Sequence, residues 1–290
     1  MNTAARPLSA GLYFVATPIG AARDITLRAL DVLATADILA AEDTRTLRHL
    51  MEIHGVALGD RPLIAYHDHN GEAVRPRLLR ALAEGKAVAY ASEAGTPLVA
   101  DPGYQLGRAA IAAGHSVIAA PGPSAVLAAL TVSGLPSDRF FFAGFPPASA
   151  GARGRFLAEI ATVPATVVLY ESPKRVSRLL VELCETFGGE RQAAVCRELT
   201  KRFEEVSRAS LNDLARDFAD RAVKGEIVVL IDRPSARMAG ADDVDRALRD
   251  ALAHHSLKDA VAAVSEALDM PRRDVYQAAL KLGAAAKEED

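Results

Sequence analysis

Three times before residue 125, a short apolar run ends in a Pro/Gly turn and gives way to helical spacing. Leu12–Val15 runs into Ala16-Thr17-Pro18-Ile19-Gly20. Ala87–Tyr90 runs into Ala91-Ser92-Glu93-Ala94-Gly95-Thr96-Pro97, closed by Asp101-Pro102-Gly103. Val117–Ala120 runs into Pro121-Gly122-Pro123-Ser124-Ala125. A repeated strand–turn–helix unit constrains the chain to a βαβ series with a mainly parallel sheet. Predicted strands are Leu12–Ala16, Ile38–Ala41, Leu63–Ala65, Ala87–Ala91 and Ser116–Ala119, with helices such as Leu27–Ala34 and Val74–Ala83 between them. Loops at the carboxyl ends of parallel strands converge on one crevice. There, glycine lets the backbone approach a ligand, and Glu93 can accept hydrogen bonds from a sugar or an amine. Plain tight turns with no ligand would read the same way. The chain has neither a G-x-G-x-x-G fingerprint nor a G-x-x-x-x-G-K-[ST] loop.

The pattern changes near Pro136. Arg139–Phe145, Thr166–Tyr170, Ala193–Arg197, Phe203–Arg208 and Glu226–Ile231 read as strands, with a helix at Val176–Phe187 and a mobile loop at Ser149–Ala152. Fewer helices among more strands predict an α+β half with a mixed or antiparallel sheet. After a linker at 235–240, Val244–Ala253, Leu257–Leu268 and Arg272–Leu282 show helical spacing. Ser256 is the expected N-cap, Asp269-Met270-Pro271 the turn and Gly283 the stop. The expected organisation is a flexible tail at 1–10, an α/β domain at 11–122, an α+β domain at 123–234 and a helix-turn-helix-like tail at 241–290.

Over 290 residues the net charge is −3, which argues against a broad nucleic-acid coat but leaves room for a local basic patch. Cys184 and Cys196 are too few for a disulfide framework, so a reducing cytoplasm is the expected setting. No apolar run reaches membrane-spanning length. The tail holds 11 acids against 7 Lys/Arg, which weighs against phosphate contact there.

Several segments carry chemistry-bearing side chains. Glu42-Asp43-Thr44-Arg45 follows a short strand and reads as an ion-paired helix start, Asp43 capping and Arg45 on the surface. His67-Asp68-His69-Asn70 follows another strand. His67 or His69 could act as a general base or bind a ribose, or serve only a turn. No third ligand stands at recognisable spacing, so no metal is expected. Lys174, Arg175 and Arg178 open a helix without an acid, and Arg197, Lys201 and Arg202 cluster elsewhere. These two clusters are either solvated faces or RNA-backbone contacts, joined in the latter case by Arg153 and Arg155.

In order along the chain stand Thr17-Pro18-Ile19-Gly20, Asp24–Ala29, Ala41–Arg45, His67–Asn70, Ala94–Pro97, Asp101–Tyr104, Pro121–Ser124, Gly134–Phe140, Tyr170–Ser172, Arg197–Lys201 and Gly225-Glu226. This series resembles the tetrapyrrole methylase family, and more narrowly its ribosomal RNA small subunit methyltransferase I branch. The resemblance runs from about Gly11 to Ile231, with the helical tail as a typical extension. It implies a two-domain fold, S-adenosyl-L-methionine as cofactor, a homodimer, and 2′-O-methylation of a cytidine ribose in 16S rRNA of the small ribosomal subunit or its precursor. It implies cofactor contacts at Pro18, Glu93, Gly95, Thr96, Pro97, Ser124, Ala125, Tyr170 and Gly225. On the acceptor side it favours a catalytic role for Glu42, Asp43 and Arg45 over the helix-start reading. With His67 and His69, read from their chemistry, they make the expected catalytic set, Asp43 and His67 being equal candidates for handling the proton. Ala21 stands where the family usually has Asn, and Glu93 where it usually has Asp. A small-molecule methylase of the same fold and a non-catalytic ribosome-assembly factor are the rival readings.

Overall fold

The computed structural model describes residues 7–234, 241–268 and 270–288. The linker at 235–240, Asp269 and the first six residues lie outside the described residues. The chain contacts divide into two units, Met1–Asp232 and Arg233–Asp290.

The first unit holds two five-stranded sheets. One is built from β1 (Gly11–Val15), β2 (Ile38–Ala41), β3 (Leu63–Ala65), β4 (Ala87–Ala91) and β5 (Val117–Ala120). Every pairing in it is parallel, in the order β3-β2-β4-β1-β5. The connections carry α1 (Leu27–Thr35), α2 (Thr44–Ile53), α3 (Gly71–Ala83) and α4 (Tyr104–Ala112). Strand β4 shows why the sheet needs a helix layer on each face. Ala87, Ala89 and Ala91 join a core with Leu33, Leu47 and Met51, whereas Val88 and Tyr90 join another with Leu78, Leu82 and Leu106. Alternation at period two places those neighbours on opposite faces.

The second sheet follows α5 (Ala125–Ser133). It comprises β6 (Phe140–Gly144), β7 (Thr166–Glu171), β8 (Gln192–Arg197), β9 (Glu205–Ser210) and β10 (Ile227–Ile231), in the order β6-β7-β10-β8-β9. Only β6 and β7 are parallel, so the sheet is mixed. Helices α6 (Ala150–Ile160), α7 (Val176–Phe187) and α8 (Leu211–Phe218) complete this half. On one face Val167, Leu169, Val229 and Ile231 pack with Leu179, Leu183 and Phe218. On the other, Val168, Val228 and Leu230 pack with Val126 and Leu130 of α5, and with Ile19 from the loop after β1. That Ile19 contact seats a loop of the first sheet in the core of the second.

Three expectations need correction. Ser149–Ala152 is not a mobile loop: Ala150 opens α6. Arg153 on that helix is only 4% exposed, gripping Glu182 through Nε at 2.5 Å and Nη2 at 2.8 Å, and the carbonyls of Pro147 and Ala148 through Nη1. It is a structural clamp and unavailable to RNA. β9 begins at Glu205, because Phe203 and Glu204 belong to the preceding turn and Phe203 faces solvent. The N-terminal tail is tethered at its end, since the Tyr13 hydroxyl donates to the Ser9 carbonyl at 2.9 Å and Leu8 packs on the core.

The second unit contains α9 (Ala241–Leu252), α10 (Leu257–Ala267) and α11 (Arg272–Glu288), around Val244, Leu248, Val261, Val264, Val275 and Ala279. Ser256 caps α10 by accepting the Asp259 amide at 3.3 Å. The turn into α11 is fixed by the Ser265 hydroxyl donating to the Met270 carbonyl at 2.6 Å. Gly283 does not end α11, which continues to Glu288; one helical glycine costs only about 1 kcal/mol.

Candidate active site

A cleft of about 640 Å³ opens in the first unit, lined from both sheets. The loops after β1, β2, β4 and β5 supply Pro18, Ile19, Gly20, Glu42, Glu93, Gly95, Thr96, Asp101, Ser124 and Ala125. The second half supplies Phe145, Tyr170, Glu171, Cys196, Lys201, Gly225, Glu226 and Val228. Its size suits a ligand of nucleoside dimensions, and its apolar floor with a few polar groups is typical of a cofactor pocket.

Backbone geometry builds the floor. Gly95 exchanges two 3.0 Å hydrogen bonds with Thr17, tying the β4 loop to the β1 loop. The Thr96 hydroxyl donates to the Pro123 carbonyl at 2.8 Å, adding the β5 loop. Gly95 has φ +80°, and a Cβ there would sit 3.2 Å from Ile19. Gly225, at φ +92°, leaves room for the Glu198 carboxyl, which a Cβ would meet at 2.3 Å. Strain gathers here too. The described non-glycine residues with positive φ are Leu98, Ala100, Glu198 and Thr200, all in two segments bordering the cleft. Such strain collects where surrounding structure holds a loop for a task.

Glu42, Glu93 and Asp101 bring three carboxylates to the first-sheet wall. Burial, then the charges of Asp101 and Glu93, push Glu42 above the usual glutamate value; the Glu93 amide opposes this and Asp68 adds to it. Asp101 is also raised, chiefly by burial, although the Gly103 amide, the Leu98 amide and the Tyr90 hydroxyl stabilise its charge. On the opposite wall, Tyr170 packs edge-on to Phe142 and Phe145, and burial lifts its hydroxyl to about 12. Lys201 donates to Glu198 and Glu226, each at 2.9 Å.

Of the nine expected cofactor residues, eight line the cleft; Pro97 is buried beside it and does not. On the acceptor side Glu42 and its neighbour divide the work. Asp43 caps α2 through the Arg45 and Thr46 amides, and its carboxylate binds the Arg45 guanidinium. These bonds, the Arg45 side chain first, hold Asp43 down to about 2, which makes it a poor proton acceptor. Arg45 itself projects into solvent. His67 and His69 are not on an extended segment and do not line the cleft. The Asn70 side chain accepts the His67 amide at 2.9 Å and folds 67–70 into a turn before α3. Within it the two rings stand 6.0 Å apart, and His67 Nδ1 is buried without a partner. Asp101, Glu171 and Glu226 are cleft residues that the sequence reading missed. All three stand in the motif series, Asp101 as a turn residue, Glu171 after Tyr170 and Glu226 after Gly225.

The expected basic clusters are largely neutralised. Arg175 binds Glu171, whose side chain is 1% exposed, at 2.6 Å, and Arg178 binds Glu182 at 3.0 Å. Arg197 binds Glu205 at 3.0 Å. Lys174 and Arg202 are exposed, Arg202 lying over the Phe203 ring. Arg155 is exposed on α6.

Comparison with known proteins agrees with this architecture. Residues 11–215 match the model for tetrapyrrole (corrin/porphyrin) methylases, and residues 238–283 match that for the RsmI C-terminal HTH domain. "Ribosomal RNA small subunit methyltransferase I" of Mesorhizobium japonicum is 46% identical, over 99% of this chain and 97% of its own length. The protein of that name from Xylella fastidiosa is 41% identical, over 91% and 97%. Among solved structures, uroporphyrin-III-C-methyltransferase from Thermus thermophilus superposes with a TM-score of 0.54 at 23% identity, covering 76% of this chain and 94% of that one. Diphthine synthase superposes with a TM-score of 0.60 at 17% identity, covering 76% and 89%. Both share the fold. Two sheets lining one cleft, glycine loops bonded to one another along its floor and full-length similarity together show that the chain belongs to the tetrapyrrole methylase family, in its ribosomal RNA small subunit methyltransferase I branch.

Proposed function

We propose that the cleft binds S-adenosyl-L-methionine and that the protein 2′-O-methylates a cytidine ribose in the 16S rRNA of the small subunit or its precursor. The observation that carries the RNA reading is the C-terminal unit. The rRNA methyltransferase relative from Mesorhizobium spans 99% of the chain, tail included, whereas the uroporphyrin-III methyltransferase covers 76%. The fit to the cofactor rests on the cleft itself. Its volume suffices, apolar walls stand beside carboxylates, and Gly95 and Gly225 let the cleft backbone pack closely on Ile19 and Glu198. When bound, the sulfonium supplies an activated methyl group and leaves as a neutral thioether.

The chain's own groups then have two tasks. Gly95, Thr96 and Ser124 fix the cofactor side through a rigid, cross-linked floor, since alignment of acceptor and methyl is most of the catalysis. Glu42 takes the proton that the ribose hydroxyl loses as its oxygen bonds to the methyl carbon. Its raised proton affinity suits that task better than the depressed carboxylate of Asp43.

The protein is proposed to work as a homodimer in the cytoplasm. Tyr104 and Ile111 are exposed large apolar side chains on one face of α4, with exposed Arg108 between them, and α4 packs beside the edge strand β5. Sedimentation will show a dimer, and Ile111→Glu will shift it toward monomer. Among the described residues, no helix is long and apolar enough to cross a membrane.

The test is to incubate methyl-labelled cofactor with small subunits from a strain lacking this gene, and to map the label. Label on a cytidine ribose is expected. Label on a base, or none, refutes the assignment, and labelling of a tetrapyrrole instead supports the small-molecule reading.

A further inference from the structure

The tail's charges are spread unevenly over its helices. On α9 Asp242, Asp243, Asp245 and Asp250 outnumber Arg246 and Arg249, and α10 carries Lys258 against Asp259 and Glu266. Along the first three turns of α11, Arg272, Arg273 and Lys281 outnumber Asp274, so the net acidity of the tail hides a local excess of cations there. Arg272 and Tyr276 stand one turn apart on α11 and line a groove of about 380 Å³ with Leu257, Lys258, Val261 and Ala262 of α10. Asp259 also borders it, but its carboxylate accepts the Ser256 hydroxyl at 2.6 Å. Arg273, Gln277 and Lys281 repeat every fourth residue along α11, and all three are exposed. No ion pair engages Lys258, Arg272, Arg273 or Lys281 among the described residues. The basic helix α7 differs, because Glu171 and Glu182 bind two of its arginines.

We propose that this α10–α11 face binds the RNA substrate, its cations on successive phosphates and Tyr276 stacked on an unpaired base in the groove. The inference rests on the RNA reading above and locates a contact outside the cleft. An exposed tyrosine flanked by unpaired cations suits single-stranded RNA, where bases stack on aromatics and phosphates meet Lys or Arg. A protein partner would gain little from so polar a stripe.

The test uses the full chain carrying Arg272→Glu with Arg273→Glu, and separately Tyr276→Ala. Binding to unmethylated small subunits is measured across a salt series, alongside cofactor affinity and the single-turnover rate at saturating subunits. The charge reversal is expected to weaken subunit binding about tenfold or more near 0.1 M salt, and to flatten the salt slope by roughly one unit per lost phosphate contact. Tyr276→Ala is expected to weaken it about fivefold to a hundredfold. Cofactor affinity and saturated rate stay unchanged. Because all three side chains are exposed, the fold persists, and Lys281→Glu repeats the charge test one helical segment further on. Unchanged affinity and slope overturn the proposal while leaving the enzyme assignment standing, provided the wild type methylates. For the charge reversal, weakened binding with an unchanged slope overturns it in favour of a protein contact; for Tyr276→Ala, an unchanged slope is expected because stacking releases no counterions. A wild type that neither binds nor methylates subunits removes the RNA reading itself.

Discussion

The two walls of the cleft carry charge in opposite ways. On the second-sheet wall the charges are matched: Glu171 holds Arg175, and Lys201 joins Glu198 to Glu226. On the first-sheet wall Glu42 and Asp101 have no ion-pair partner among the described residues, and each raises or is raised by neighbouring acids. A matched charge is committed to holding geometry. A crowded, half-buried carboxyl holds a proton more tightly than an ordinary one, which suits a proton acceptor. The difference assigns chemistry to one wall and support to the other.

The strongest way to break that assignment is Glu42→Gln, which keeps shape and removes the acceptor. The single-turnover methylation rate is expected to fall by about 10²–10⁴-fold with cofactor affinity little changed. Next comes the floor. Gly95→Val forces a β-branched side chain into a positive-φ position against Ile19, at a folding cost of roughly 1–3 kcal/mol. Relieving that strain shifts the floor, so calorimetry is expected to show cofactor affinity down about tenfold or more. On the supporting side, Arg153→Ala strips Glu182 of a buried partner and leaves two loop carbonyls unpaired. A loss of about 2–3 kcal/mol in denaturant unfolding is expected, with residual enzyme still able to bind cofactor. The smallest effect belongs to Asp43→Asn. Asn is as good an N-cap as Asp, so rate and stability are expected to stay within about twofold and 1 kcal/mol. A large rate loss there would return the proton to Asp43.

Much of this was legible from residues alone. Ile38–Ala41, Leu63–Ala65, Ala87–Ala91 and Val176–Phe187 appear with the bounds that the apolar runs predict. Buried central strands are apolar throughout, and their Gly/Pro boundaries leave little freedom. Of the eight expected residues that line the cleft, Pro18, Glu93, Gly95, Thr96, Ser124 and Ala125 sit in the three recurring strand-end turns, whereas Tyr170 and Gly225 were implied by the family resemblance alone. The misses share a cause in pairing across distance. Ala-Gly-Ala before Arg153 reads as a loop until Glu182, 29 residues on, is seen to anchor it. The α7 arginines read as free until Glu171 and Glu182 close on them. Glu42 and Asp43 are neighbours with the same headgroup. The spacing alone already reads Asp43 as the cap of α2, as the structure has it; that Glu42 lines the cleft shows only in the structure.

The most direct test of the two-wall account is the pH dependence of single-turnover methylation for the wild type and Asp101→Asn. Glu42 accepts a proton only when ionised, so the rate should fall on acidification, with a midpoint above the ordinary glutamate value of 4.5. Removing the Asp101 charge lowers the proton affinity of Glu42, so the midpoint should move to lower pH while cofactor affinity holds. An acid limb that is absent, or that stays in place in Asp101→Asn, would contradict the claim that the first-sheet acids handle the proton.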